Sequence, residues 1–148
     1  ESTVKTFDIT VLAPIYFDDN VSTEGAIKFR IPSPTGSWRV YQQGFKRKFR
    51  VLAGGNSTIT SITYELNYDI TTTSSATHVT RTYTENISPG TKVFERNHEL
   101  WETIGDQVAQ ISGANLNIVN LTMKITATAS TGESATVTIV PEKENAIN

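Results

Sequence analysis

The stretch NLNIVNLTMKITATAST, residues Asn115–Thr131, alternates between apolar and polar residues over most of its length. A second stretch, FKRKFRVLAGGNSTITSITYELNYDI (Phe45–Ile70), alternates in the same way on either side of a Gly-Gly-Asn turn. A period of two over this length predicts strands with one face on a hydrophobic core and the other in water. In the first stretch the predicted core face consists of Val119, Leu121, Met123, Ile125, Ala127 and Ala129.

The bulk composition excludes several classes of protein. A chain of 148 residues suits one domain with a core of its own. The net charge of −2 argues against a dedicated nucleic-acid binder, which usually needs a basic field. There is no cysteine, so disulfides, thiolate catalysis and cysteine-ligated zinc are excluded. No stretch approaches the roughly 20 apolar residues of a membrane span.

Short strand patterns recur along the chain and are separated by turn signals such as Pro32-Ser33-Pro34-Thr35-Gly36 and Ser88-Pro89-Gly90. Roughly eight strands spaced in this way predict an all-β fold, a single antiparallel β-sandwich of the jelly-roll type. We expect strands at Trp38–Tyr41 and Phe45–Leu52, separated at Gly44, and a final hairpin at residues 115–140.

One segment departs from the period of two. The apolar residues between Asn97 and Gly113 follow a helical spacing: Leu100, Trp101, Ile104, Val108 and Ile111. Asn97 suits an N-cap and Gly113 a stop. Because Gly105 weakens the pattern, the spacing predicts one short irregular helix near residues 98–111.

The first predicted strand, Val4–Ala13, is separated from the rest by Pro14 and an acidic loop. We therefore divide the chain into residues 1–13, a candidate donor strand, and residues 14–148, the sandwich. Two outcomes remain open: the strand folds back into its own sheet, or it completes the sheet of a neighbouring copy. In the second case the apolar donor residues are Val4, Phe7, Ile9 and Val11, and a head-to-tail exchange yields a filament.

The run Lys46-Arg47-Lys48-Phe49-Arg50 is the densest cluster of charge. As a strand it places Lys46, Lys48 and Arg50 on one face and Arg47 on the other, with the aromatic residues. Two interpretations remain open. The run is either a solvated charged strand or a patch for an anionic partner, such as a surface polysaccharide or an acidic neighbouring subunit.

Four sequences of the type Asn-x-Ser/Thr occur, at Asn20, Asn56, Asn86 and Asn120. The first three fall in predicted turns, and Asn120 falls on the polar face of its strand, so all four positions are open to a glycan. Their placement favours a secreted, extracellular protein at the cell surface.

Catalytic and metal-binding signals are weak. His78 and His98 stand alone, without a second histidine at a ligand spacing. Asp18-Asp19-Asn20 offers oxygen ligands for calcium but lacks the spaced acidic pattern of a defined loop, so a solvated turn is favoured. No phosphate-binding, dinucleotide or nucleophile motif is present. We therefore expect no enzyme and no cofactor.

Both quoted stretches resemble the TasA and camelysin-type biofilm matrix proteins. In that family a charged strand leads through a turn into a long alternating strand that ends near a tyrosine, and a late strand closes on Ala-Thr. The archaeal bundling-pilus subunits are similar. The resemblance implies a secreted jelly-roll domain that polymerises by donating its N-terminal strand, here Val4, Phe7, Ile9 and Val11. This chain is shorter than the bacterial members and carries glycosylation sequences, which favours an archaeal surface filament.

The sequence thus predicts the structural subunit of an extracellular, biofilm-type filament or pilus whose partners are copies of itself. Two alternatives remain open. A carbohydrate-binding sandwich would need an exposed platform of Trp38, Tyr41 and Trp101, and a small viral coat protein would form closed shells. A pore-forming toxin is a more distant fourth.

Overall fold

The structure, a computed structural model, describes residues 13–32, 37–97 and 99–145. Over these residues the chain forms ten strands and no helix. They are β1 (Ile15–Phe17), β2 (Glu24–Arg30), β3 (Trp38–Ala53), β4 (Ile59–Thr71), β5 (Ala76–Asn86), β6 (Val93–Arg96), β7 (Glu102–Ile111), β8 (Asn117–Ala129), β9 (Ser134–Ile139) and β10 (Glu142–Glu144). The predicted all-β fold is confirmed.

The candidate donor strand precedes this part of the chain. Its apolar residues Val4, Phe7, Ile9 and Val11 lie outside the described residues, and only Ala13 of the predicted strand is described.

The first sheet has six strands and is built around β3. One edge of β3 pairs with β2 and β1, and the other edge pairs with β7 and β6. β10 adds to β2 in parallel, whereas the other pairings of this sheet are antiparallel. This parallel pair departs from the purely antiparallel sandwich that we predicted.

The second sheet has four strands in the order β5-β4-β8-β9, and all of its pairings are antiparallel. Its outer face is rich in threonine. Thr63 and Thr84 lie opposite each other with their hydroxyl oxygens 3.2 Å apart, as do Thr126 and Thr136. Its inner face packs on the first sheet, so the predicted β-sandwich is confirmed.

The core lies between the two sheets. β4 contributes the face predicted from its alternation, and all five residues of that face are fully buried: Ile62, Tyr64, Leu66, Tyr68 and Ile70. The rings of Phe29 and Tyr68 meet edge-on across the sheets with centroids 4.8 Å apart. Side chains of alternating strands therefore fill the interior, as the sequence pattern requires.

The predicted helix near residues 98–111 is wrong, because residues 102–111 form β7 against β3. The register between these strands shifts twice, between Val40 and Tyr41 and between Gln42 and Gly44. Each irregularity changes which face the next residue points to. The apolar residues of β7 therefore follow a spacing longer than two, which imitates a helix. Gly105, with φ of 71°, is part of the irregular stretch.

A bulge also corrects the predicted core face of β8. Ile118 is buried and Val119 only half-buried, although the alternation placed Val119 inside. Asn120 adopts φ of 57°, and the register with β4 shifts opposite Tyr68. This left-handed residue reverses the alternation for the residues that precede it. From Leu121 to Ala129 the predicted face is buried as expected.

The two strands predicted at Trp38–Tyr41 and Phe45–Leu52 form the single strand β3. Gly44 lies inside this strand, where β7 approaches closely. A β-carbon added at Gly44 would lie 2.5 Å from the carbonyl oxygen of Glu102. Glycine at this position thus permits the close contact between the two backbones.

We predict that Gly44→Ala destabilises the protein, because the added methyl group would force the backbones of β3 and β7 apart. The free energy of unfolding should fall by about 1–3 kcal/mol in a denaturant titration. Gln43→Ala, which changes a partly exposed neighbour, is the matched control and should shift it by less than about 0.5 kcal/mol. Equal stability of Gly44→Ala and the control would contradict the argument.

Candidate functional site

The two long sides of the sandwich differ. On one side β1 of the first sheet packs against β9 and β8 of the second, so this side is closed. On the other side β5 and β7 leave between them a cleft of about 540 Å³. We call this second side the open side, and it is the candidate functional site.

Aromatic rings form much of the cleft. Phe45 stacks on Tyr83, with centroids 5.2 Å apart, and lies 5.4 Å from the ring of Tyr64. Ile104 on β7 lines the opposite wall. Phe45 and Tyr64 are fully buried, whereas Tyr83 and Ile104 are half-buried at the opening. Tyr83 and Ile104 are thus the apolar side chains that reach the opening, beside polar residues such as Thr82, Thr84 and Glu102.

Arg47 lies at the floor of the cleft, with only 3% of the residue exposed. Its Nη2 donates to Glu85 at 3.0 Å, and its Nη1 donates to Glu102 at 3.4 Å. The guanidinium lies over the rings of Phe45 and Tyr64, 5.0 and 4.8 Å from their centroids. Burial alone would lower the pKa of Arg47. The neighbouring Tyr64 and Glu85 outweigh that effect and raise it, so Arg47 stays charged.

Glu85, on the inward face of β5, joins four strands. Its carboxylate accepts hydrogen bonds from Arg47 on β3, Tyr64 on β4 and Arg96 on β6. Burial would raise the pKa of the Glu85 carboxyl, but the hydrogen bonds from Arg96, Tyr64 and Arg47 lower it overall. Burial raises the pKa of the Tyr64 hydroxyl, which therefore stays protonated as a donor.

A second polar chain continues along the same side. The hydroxyl of Tyr68 donates to Gln42 Oε1 at 2.9 Å, and Gln42 Nε2 lies 3.4 Å from the hydroxyl of Tyr83. Gln42 is fully buried, so these contacts satisfy an amide in the interior. The polar groups of the cleft are thus largely engaged with one another, which suits a structural or binding role.

The backbone edge of β5 borders the cleft. Along its 11 residues β5 pairs with β4 without a register shift, and within the described chain no strand covers its other edge. Alternate N–H and C=O groups of such an edge point away from the sheet and can accept another strand. Within the described residues, the open side therefore combines an unpaired strand edge with a cleft of mixed polar and aromatic lining.

The predicted basic face is confirmed in its geometry: Lys46, Lys48 and Arg50 share the outer face of β3, and Arg47 points inward. Two of these charges have partners in the same molecule. Arg50 pairs with Asp18 and Glu95 at 3.2 and 3.0 Å, and Lys46 lies 3.9 Å from Glu144. The partner proposed for this face remains a prediction.

The aromatic platform considered for carbohydrate binding does not assemble from its three members. Trp38 packs against the core, and its indole N–H donates to Gly113 O at 2.9 Å. Tyr41 and Trp101 reach the outer face of the first sheet, where each has a cation over its ring. Arg30 lies 4.6 Å from the Tyr41 centroid, and Lys46 lies 4.7 Å from that of Trp101.

The four candidate glycosylation residues, Asn20, Asn56, Asn86 and Asn120, are all exposed. At Asn120 the side-chain amide donates to Asp69 at 2.9 Å, so the atom that would carry a glycan already has a partner. Their accessibility agrees with the sequence interpretation, and occupancy stays a prediction.

The described residues contain no cluster of three or more side chains suited to hold a metal ion. Asp18 accepts a hydrogen bond from the backbone N–H of Asn20 at 2.9 Å and pairs with Arg50, as expected for a solvated turn. His78 lies 2.6 Å from Asp69 on the exposed face of the second sheet. His98 lies outside the described residues.

Sequence reasoning placed Arg47 on the aromatic face but did not identify its partner Glu85. A signal was present: Val79, Arg81, Tyr83 and Glu85 alternate along β5 on the inward face. An inward carboxylate on an otherwise polar strand indicates a buried cation on the facing sheet. Which cation the carboxylate contacts depends on how one sheet is packed on the other, and the local sequence pattern does not predict that packing.

A scan against models of known protein families finds no match to this chain, and a search of curated proteins finds none either. The resemblance to TasA and camelysin-type proteins therefore stays a prediction. Within the described residues, no helix is long and apolar enough to cross a membrane.

We predict that Glu85→Gln lowers the free energy of unfolding by about 3 kcal/mol at neutral pH, because it leaves the buried guanidinium of Arg47 poorly compensated. The pKa of Glu85 is lower in the folded state than in the unfolded chain. The stabilisation that the ionised Glu85 gives is therefore complete above the unfolded-state pKa of about 4.3, and it is lost as the pH falls through the folded-state pKa. The difference in the free energy of unfolding between wild type and Glu85→Gln should therefore become smaller below about pH 4.

The measurement is denaturant unfolding from pH 7 to pH 3. Glu95→Gln breaks an ion pair with Arg50 that faces solvent and is the matched control. We expect it to leave stability almost unchanged. A pH-independent difference for Glu85→Gln would contradict the assignment of Glu85 as the carboxylate that compensates Arg47.

Proposed function

We propose that the protein is the structural subunit of an extracellular filament, assembled when residues 1–13 of one copy complete the sandwich of the next. The observation that carries this proposal is the open side, where an edge that no described strand covers borders a cleft lined partly by aromatic rings. The sequence before β1 supplies a matching element, an alternating segment with Phe7, Ile9 and Val11 on one face. β-strand addition uses both features together.

The magnitudes permit such a joint. Burying Val4, Phe7, Ile9 and Val11 would contribute about 1.5–3 kcal/mol for each side chain. Each new backbone hydrogen bond adds about 0.5–1.5 kcal/mol. Association costs roughly 4–15 kcal/mol in lost freedom. A strand that supplies four apolar side chains and several hydrogen bonds can therefore exceed that cost.

The geometry of exchange favours a filament over a closed shell. A donor on one surface and an acceptor on another form a heterologous contact, which propagates unless the rotation between copies closes a ring. Electron microscopy separates filaments from the shells of the coat-protein alternative. The exposure of Asn20, Asn56, Asn86 and Asn120 supports the secreted, cell-surface location that we include in the proposal.

A second candidate function, binding of an acidic polysaccharide, is favoured by the outer face of the first sheet. Lys28 and Lys46 both lie over the ring of Trp101, and a cleft of about 270 Å³ beside them is lined by Gln43 and Thr103. Ammonium groups attract carboxylates, and an indole offers a surface for the apolar face of a sugar. Both functions can coexist, because they use different faces.

For the filament we predict that Ile9→Asp abolishes polymers while the monomer stays folded, because a carboxylate would be buried against Tyr83 and Ile104 in the cleft. Thr10→Asp places the same charge on the other face of the strand and is the matched control. Negative-stain microscopy and sedimentation measure polymer, and circular dichroism measures folding. Normal filaments from Ile9→Asp, or from a chain that lacks residues 1–13, would show that the donor strand is not what joins the subunits.

For the polysaccharide we predict that the double variant Lys46→Gln and Lys48→Gln elutes at lower salt from a column of immobilised alginate. Lys124→Gln, on the outer face of the second sheet, is the matched control and should elute with wild type. If all the variants elute together, this face does not bind the acidic polymer.

A further inference from the structure

The strand edges of the sandwich are not equally suited to accept a strand. β1, β6 and β10 are three or four residues long, and β9 has six. β7 has 10 residues, but its pairing is interrupted twice and it contains the left-handed Gly105. β5 has 11 residues, no proline and an uninterrupted register. Bulges, brevity and proline are the devices that protect edges, and β5 has none of them.

β5 does carry two inward charges, Arg81 and Glu85, and inward charges can also protect an edge. Both are directed across the sandwich. Glu85 is held by Arg47 and Arg96, and Arg81 Nη2 lies 3.4 Å from the carbonyl oxygen of Gln107 on β7. Since their partners lie on the facing sheet, these charges leave the backbone edge of β5 accessible.

We infer that the acceptor in the proposed assembly is the outer edge of β5 together with the cleft between β5 and β7, and that its occupant is the segment Phe7–Val11 of a second copy. This inference rests on the proposed donor-strand function and specifies where that strand binds. It is independent of the outer basic face.

In the proposed assembly the donor comes from another copy, which joins one subunit to the next. In the described chain the carbonyl oxygen of Pro14 accepts from the backbone N–H of Gly54 at 3.1 Å, and β1 then packs against β9 and β8 on the closed side.

The chemistry of the segment matches both faces of the acceptor. Phe7, Ile9 and Val11 would point inward to the part of the cleft wall formed by Tyr83 and Ile104. Thr6, Asp8 and Thr10 would then point outward, next to the exposed Thr80, Thr82 and Thr84 of β5.

Paired threonines already occur at equivalent places in this sheet, between β4 and β5 and between β8 and β9. An added strand with outward threonine would continue that pattern from β4 across β5. Threonine on the outer face is thus shared by the segment and the sheet that it would extend.

Disulfide cross-linking tests the location cleanly, because the chain contains no cysteine. Thr10→Cys is combined in turn with Thr80→Cys, Thr82→Cys or Thr84→Cys, and filaments are grown in reductant and then oxidised. At least one pair should bring the α-carbons within about 7 Å and give a ladder of covalent oligomers on a denaturing gel. Thr10→Cys with Thr136→Cys, on the exposed face of β9 at the opposite edge, is the matched control and should give none.

Two results would overturn the assignment to β5 and leave the filament proposal standing. One is a ladder only from the pair of Thr10→Cys with Thr136→Cys, and the other is filaments that give no ladder with any of the pairs. Failure of the wild-type chain to form any filament would contradict the proposed function itself.

Hydrogen exchange gives a readout that needs no cysteine. The amides of residues 76–86 should exchange at least about tenfold more slowly in wild-type filaments than in monomeric Ile9→Asp protein. The amides of β9 should be unchanged, and protection at β9 in place of β5 would also overturn the inference.

Discussion

The ion pair between Arg47 and Glu85 is the contact on which the open side of the sandwich depends. A guanidinium with 3% exposure loses most of its hydration, and such a loss is tolerated only when carboxylates and hydrogen bonds replace the water. Glu85 supplies that replacement and simultaneously binds Tyr64 and Arg96. Because these four residues belong to four strands in two sheets, the pair sets the distance between the sheets on the side where no described strand closes the gap.

This polar bridge explains why the two sides of the molecule differ. On the closed side β1 packs against β9 and brings Ile15 into the apolar core. On the open side a buried charge network holds β5 near β3 and β6, and the half-buried ring of Tyr83 stacks on the buried ring of Phe45. The two long sides of the described sandwich are therefore chemically different.

The local sequence pattern predicts the fold where a strand pairs regularly, and this prediction fails where the pairing is interrupted. The alternation in β4 predicts its buried face completely, since hydrophobic side chains two residues apart must share a face. The bulges at Asn120 and along β7 interrupt this alternation, and the apolar residues of β7 consequently have a spacing that predicts a helix. One half of the ion pair could be predicted from the sequence, because the strand pattern places Arg47 on the inward face. Its partner Glu85 could not be predicted, because the two residues meet only through the packing of one sheet on the other.

β5 and β7 border the open side and differ in how well each would accept another strand. Both are long edge strands, and an exposed edge is a liability because any other strand can pair with it. On β7 the liability is reduced by two register shifts and by Gly105. On β5 the sequence keeps 11 residues in continuous register with β4, with threonine outside and with Tyr83 between two inward charges, Arg81 and Glu85. Within the described residues this regular edge has no partner. The proposed strand from a second copy would account for the regularity of β5, the cleft beside it and the apolar alternation that precedes β1 in the sequence.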